Sequence, residues 1–317
     1  MEFDSQYTAE KGKFDEYYTQ NILPSLQKTE KTRKKYFGWF ISLCLITFIW
    51  MAYIVINFKE KMLSTPEDNP DFGLVMCLIV LAVCAPMFLY YKRSKESILP
   101  LIIGYFGKFE YEYKRGISET LLIRSRIMPQ YDSLETDDGF CGTYDNVAVG
   151  LTEYTLKRRE RETKENTKQY KYVKKGHGII FQSQMNKKFE GQTIVVKDKG
   201  ILNKFTHYKG FNRVGLESPE FEKAYEVFSD NQIEARYILT ATMLEYMMQL
   251  KQSFKNISYS FFDNKVLINI EIKENFFECS SFFSSVINKK RIDKIFNQFY
   301  QLFAIIKTLQ LNQKKLL

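Results

Sequence analysis

Two uncharged stretches near the start of the chain constrain its fold more than any other feature. Phe37 to Phe58 is 22 residues without Asp, Glu, Lys, Arg or His, and Phe72 to Tyr91 is 20. A helix rises about 1.5 Å per residue, so either stretch can cross a hydrocarbon core of about 30 Å. The chain is therefore expected to place two helices in a lipid bilayer and to fold the rest outside it. A cleaved secretory signal fits poorly. The first stretch begins only at residue 37, is longer than a signal's apolar core and has no small-residue cleavage site after it.

The flanks give the pair a direction. Lys28, Lys31, Arg33, Lys34 and Lys35 precede the first stretch against a single Glu30, and Lys92, Arg93 and Lys95 follow the second against Glu96. The connecting segment 59–71 balances Lys59 and Lys61 with Glu60, Glu67, Asp68 and Asp71. Excess Lys and Arg in short flanks marks the cytoplasmic side. Both termini are thus expected in the cytoplasm, with 59–71 outside and turned by Pro66 and Pro70. Tyr36, Trp39, Tyr53, Phe58, Phe72, Tyr90 and Tyr91 lie where interfacial aromatics belong. A chain with 27 Phe and 21 Tyr supplies some of these by composition alone. Pro86 is expected to kink the second helix. Neither stretch holds Asp, Glu, Lys, Arg or His, which disfavours a transporter or pump and leaves a small oligomeric channel little to line its lumen.

The expected layout is a cytoplasmic helical segment at 1–36, spans at 37–58 and 72–91 joined by the external loop 59–71, a membrane-proximal connector at 92–116, and a cytoplasmic domain at 117–317. That domain is long enough for one sizeable core. Its periodicity predicts an α+β fold. Helix is expected over 13–35, bent at Pro24, and over most of 97–128. Period-2 runs at Asn146–Leu156, Tyr172–Ser183 and Thr193–Val196, with a short one at Val214–Leu216, predict an antiparallel meander. A central helical pair follows, the first capped by Ser229 or Asp230 and the second by Thr240. Ile257–Phe262 and Lys265–Ile272 read as a hairpin turning at Asp263-Asn264. From about Lys289, Ile292, Ile295, Phe296, Phe299, Phe303, Ile306 and Leu309 recur on one face of an amphipathic helix, expected to pack on the sheet, with a membrane-surface helix as the alternative reading.

No cofactor is expected. The five cysteines, Cys44, Cys77, Cys84, Cys141 and Cys279, form no CxxC pair, which suits a reducing compartment. The two histidines, His177 and His207, have no second His or carboxylate at i+4, so no zinc motif stands out. Asp137-Asp138, before Gly139, could hold a cation, but with no further ligands in the sequence the pair reads as a turn. The net charge of +9 is concentrated at 157–175, where nine Lys and Arg face three Glu. One reading makes this segment, with Arg158, Arg159 and Arg161, a contact for anionic lipid headgroups, joined by Arg33, Lys34, Lys35, Lys92 and Arg93 at the membrane flank. The plainer reading is a solvated hairpin loop, the common fate of a charge run. No nucleic-acid motif is present.

Asp137-Asp138-Gly139-Phe140-Cys141-Gly142-Thr143-Tyr144, Phe221-Glu222-Lys223, Asp230 to Thr240, Ser260-Phe261-Phe262-Asp263 and Asn275-Phe276-Phe277-Glu278 resemble a bacterial membrane family catalogued as domain of unknown function 3137. The resemblance covers most of 115–285. At position 241 the family pattern commonly has Pro, where this chain has Ala241. It implies a bacterial inner-membrane location and no particular activity. The expected role is a membrane-anchored cytoplasmic interaction or scaffold module whose protein partner is unknown. The alternatives are a membrane-surface enzyme, such as a hydrolase, and a small channel. An enzyme is disfavoured because no nucleophile, base or phosphate loop forms a recognisable set.

Overall fold

A computed structural model of the chain describes residues 2–57, 70–161, 170–185, 188–198 and 208–309. The expected external loop up to residue 69, Lys164 and Lys168 of the basic segment, and His207 lie outside the described residues. Contacts divide the chain into two compact units, Met1–Tyr105 with Glu278–Lys294 and Phe106–Phe277 with Ile295–Leu317.

The first unit is helical: α1 (Glu2–Tyr17), a π-helical turn (Tyr18–Ile22), α2 (Leu23–Asn57) and α3 (Pro70–Ile103). The π turn lies just ahead of Pro24, where a bend is expected. The Leu23 N–H reaches back five residues to the Tyr18 carbonyl. Pro24 has no N–H to continue the ordinary ladder, and the wider turn absorbs the break. Phe14, Tyr18, Ile22 and Leu26 are buried along one side. The Tyr17 hydroxyl donates to the Leu101 carbonyl at 3.1 Å, and the rings of Phe14 and Tyr105 meet edge-on at 5.3 Å. α3 continues through both Pro86 and Pro100 as one helix. Each of α2 and α3 contains a stretch long and apolar enough to cross a membrane.

The second unit is an antiparallel sheet with helices, in agreement with the α+β expectation. Among the described residues its strands number nine, in the order β1-β2-β3-β4-β9-β8-β5-β7-β6. They are β1 (Lys108–Tyr113), β2 (Ser133–Tyr144), β3 (Val147–Arg161), β4 (Tyr170–Gln184), β5 (Gln192–Lys197), β6 (Asn212–Arg213), β7 (Tyr225–Ser229), β8 (Ile257–Phe262) and β9 (Lys265–Glu271). The helices are α4 (Glu119–Ser125), α5 (Pro219–Glu222), α6 (Gln232–Ile238), α7 (Ala241–Ser253) and α8 (Lys289–Thr308).

Several local expectations need correction. Region 97–128 is not mostly helix: Lys108–Tyr113 pairs with β2 as an edge strand. Asp137-Asp138 is not a turn but a bulge inside β2, where the register slips between Thr136 and Gly139. The basic segment is not a loop in its described parts, because β3 and β4 stay paired out to Arg161 and Tyr170. Beyond Gly178, β9 no longer pairs with β4, so this stretch projects as a hairpin arm with mostly charged side chains. The short strand near 214 falls at Asn212–Arg213. α6 is capped by Asn231, whose side chain accepts from the Ile233 and Glu234 N–H groups, rather than by Ser229 or Asp230. Ser229 ends the buried strand β7 instead.

Other features match their local chemistry. Thr240 caps α7 through the Met243 N–H. Asp263 and Asn264 both take positive φ, 50° and 57°, as a two-residue type I′ hairpin requires. One sheet face carries a core that includes Leu156, Ile180, Ile194, Phe262 and Leu267. The other face receives α8. There Phe299 stacks on Phe277 at 4.6 Å and meets Phe140 of β2 edge-on at 4.9 Å, while Phe303 stacks on Tyr144 at 4.6 Å. These contacts account for the apolar stripe of α8 without lipid.

Candidate functional site

Two places concentrate chemistry. The first is the basic and aromatic end of α2 and α3. Lys34, Lys35, Lys92 and Arg93 are exposed. Arg93 donates to the Tyr36 hydroxyl and holds its guanidinium 5.6 Å from that ring, so the basic ends of the two helices lie side by side. The Lys35 ammonium sits 5.1 Å from the Trp39 ring.

Arg33 has a different environment. It forms two hydrogen bonds to Glu30, at 3.0 and 2.7 Å, and a third to the Phe282 carbonyl at 2.9 Å. Glu30 also accepts the Val286 N–H at 2.9 Å. The two side chains are only 12% and 11% exposed, so Arg33 forms an internal clip. The Arg33 hydrogen bonds hold the Glu30 carboxyl below its ordinary range, against the opposing effect of burial. Arg158, Arg159 and Arg161 are exposed on the hairpin arm. Arg159 lies 3.9 Å over the Tyr170 ring, and its N–H donates to Asp132 at 2.7 Å.

The second place lies in the sheet, on the face that receives α8. The β2 bulge sets Asp137 and Asp138 opposite Glu153 of β3. Thr155 and His177 are cross-strand partners, which puts His177 on the same face as Glu153. Glu153 is 1% exposed. Its Oε1 accepts the Phe276 N–H at 2.9 Å and lies 3.2 Å from His177 Nε2. Among the described residues, Glu153 Oε2 and His177 Nε2 are buried without a hydrogen-bond partner of good geometry. Burial pushes the Glu153 carboxyl up; His177 and the Phe276 N–H pull it down, and the charge on Asp137 raises it again. Carboxylate oxygens of Asp137, Asp138 and Glu153 lie within 4.8 Å of one another, close enough to share a metal ion. Asp137 and Asp138 open a stretch already singled out in the sequence, but their company with Glu153 and His177 comes from three different strands. Beyond the Asp137-Asp138 pair, the further signal was an acidic residue at position 153, among the apolar residues of β3.

A protein-family model described as protein of unknown function (DUF3137) matches residues 175–311. That range holds the Asp230–Thr240 and Asn275–Glu278 segments and starts after Asp137–Tyr144. No curated protein matches the chain. Among solved structures, the mycobacterial trehalose monomycolate transport factor A, TtfA, is 14% identical, with 63% of this chain and 88% of that chain covered and a TM-score of 0.34. At that score nothing transfers to this chain.

Proposed function

We propose that the chain is a two-span membrane protein that holds its sheet domain at the cytoplasmic face of a bacterial inner membrane, where the domain binds a protein partner. One observation carries this reading. α2 and α3 turn large apolar side chains outward, among them Phe48 at 72% exposure, Ile56 at 78%, Leu74 at 62% and Phe88 at 65%. A water-soluble protein rarely leaves so continuous an apolar surface uncovered, whereas a bilayer covers it. The basic ends of both helices, joined by Tyr36 and Arg93, support the cytoplasmic orientation. Lys34, Lys35, Lys92 and Arg93 are the side chains placed to meet anionic headgroups, with the hairpin arm's arginines as a second contact.

The test is extraction from native membranes. The protein is expected to stay in the pellet under high salt and alkaline carbonate and to enter solution only with detergent. Release by carbonate would reduce it to a peripheral protein and end this reading.

A further inference from the structure

We infer that the segment 278–289 dips into the lipid interface at the basic end of α2 and α3, as a membrane contact outside the two spans, with Phe283 as the side chain that enters the acyl-chain border. The inference rests on the bilayer placement proposed above for α2 and α3. All of its contacts lie within the first unit.

The segment descends along one helix and climbs along the other. On α3, Lys95 pairs with Glu278 at 3.2 Å, the Ser94 and Ser280 hydroxyls share a hydrogen bond, and the Tyr91 hydroxyl accepts the Phe282 N–H at 3.4 Å. Positions 95, 94 and 91 step toward the apolar stretch that ends at Tyr91. On α2, Phe282 and Phe283 lie against Phe37 and Phe40, at the start of the other apolar stretch. Past the two phenylalanines the Val286 N–H is held by Glu30, and Lys289 pairs with Asp15 at 2.6 Å. Glu30 lies seven residues, about 10 Å, before Phe37 along the helix. Phe282-Phe283 is therefore the tip of the descent, level with the first turn of the apolar stretch.

The two rings at the tip have opposite environments. Phe282 is fully buried, 5.6 Å from the Phe40 ring and 5.7 Å from those of Phe37 and Tyr90, and it fixes the tip in place. Phe283 meets Phe37 and Phe40 edge-on at 6.3 and 6.2 Å with one side of its ring and is still 66% exposed. A single exposed phenylalanine is ordinary on a water-facing surface. This one continues the outward apolar surface of α2, where Trp39 is 50% and Leu45 57% exposed. Whatever covers that surface covers Phe283 too, and the proposed cover is lipid. Irregular backbone is tolerated near lipid only where its polar groups find partners within the protein. The Phe282 N–H has the Tyr91 hydroxyl, and its carbonyl accepts from Arg33 at 2.9 Å. The Arg33 clip thus holds the tip down.

The experiment places the full chain in phospholipid nanodiscs, with Trp39→Phe and Trp50→Phe so that one added tryptophan reports alone. Phe283→Trp is the probe. Phe48→Trp is the reference inside a span, and Lys13→Trp, at a side chain 68% exposed on α1, is the reference in water. Fluorescence is quenched separately by phospholipids brominated on their acyl chains and by aqueous iodide. Phe283→Trp and Phe48→Trp are expected to be quenched by the brominated lipid and protected from iodide, and Lys13→Trp to behave in the opposite way. Quenching of Phe283→Trp by iodide alone, while Phe48→Trp responds to lipid, would overturn the inference and leave the two-span reading standing. Protection of Phe283→Trp from both quenchers would also overturn it, because a protein surface, such as a second copy of the chain, would then cover the tip. No response of Phe48→Trp to lipid would remove the two-span reading and this inference with it. The wild-type chain supplies a check without any substitution. In nanodiscs carrying a phospholipid with a photoactivatable acyl chain, the peptide that holds Phe283 is expected to be cross-linked along with those of α2 and α3. Cross-linking of the α2 and α3 peptides alone would contradict the inference.

Discussion

Gly178→Ala is expected to destabilise the sheet by about 3 kcal/mol, the upper end for overpacking in a core. Gly178 lies on β4 opposite Glu271 of β9. A Cβ there would come within 2.2 Å of the Ile270 carbonyl oxygen and 3.1 Å of its carbon. It would also stand 3.0 Å from the Tyr154 hydroxyl, which is buried and donates to Asn269 at 2.6 Å. The first obstacle is backbone, so relief requires the strands to part. In the strand order, β4 next to β9 is the seam that joins β1–β4 to the other five strands. Gly150→Ala is the control. Its added Cβ would meet only the Gln182 Cβ at 3.9 Å, so the change should be neutral or slightly stabilising. Unfolding of the purified chain in detergent measures both. Similar midpoints for the two variants would show that the β4–β9 approach is looser than described.

Arg33→Ala is expected to loosen the helical unit by about 3 kcal/mol near neutral pH, because it leaves a carboxylate buried without its cation. The wild-type clip also has a defined pH dependence. The folded-state pKa of Glu30 lies below its ordinary value of 4.5. The stability this shift contributes is therefore fully present above about pH 4.5 and disappears as pH falls through the lower folded-state value. Glu30→Gln lacks this contribution at every pH. The difference in thermal midpoint between wild type and Glu30→Gln should be widest at neutral pH and shrink with acidification below 4.5. A difference that stays constant down to strongly acidic pH would mean that the Glu30 charge contributes nothing.

What could be read from the sequence was what local periodicity encodes. The two apolar stretches, the stripe on α8, the Asp263-Asn264 hairpin and the Thr240 cap all depend on residues within a turn or two of each other. β2 was missed because two aspartates and two glycines break its alternation, and the bulge at Asp137-Asp138 needs β3 beside it to be seen. β1 was legible: Lys108-Phe109-Glu110-Tyr111-Glu112-Tyr113 alternates cleanly, but its position after a long helix favoured the wrong period. Arg33 looked like a flank charge because Phe282, whose carbonyl it bonds, is 249 residues away. The cluster of Asp137, Glu153 and His177 is assembled by strand register, which spacing along the chain does not reveal. Glu153 interrupts the sequence Val147, Val149, Leu151 at a core-facing position, and that is the trace it leaves.

Topology is the most direct test of the account. Cys141 is exposed on β2 and serves as a built-in reporter for the sheet domain. With Cys44, Cys77, Cys84 and Cys279 replaced by alanine, spheroplasts are treated with a membrane-impermeant maleimide. A second version replaces Cys141 as well and adds Ser64→Cys between the two apolar stretches. Ser64→Cys is expected to be labelled in sealed spheroplasts, and Cys141 only after lysis. Labelling of Cys141 in sealed spheroplasts with Ser64→Cys protected would contradict that topology.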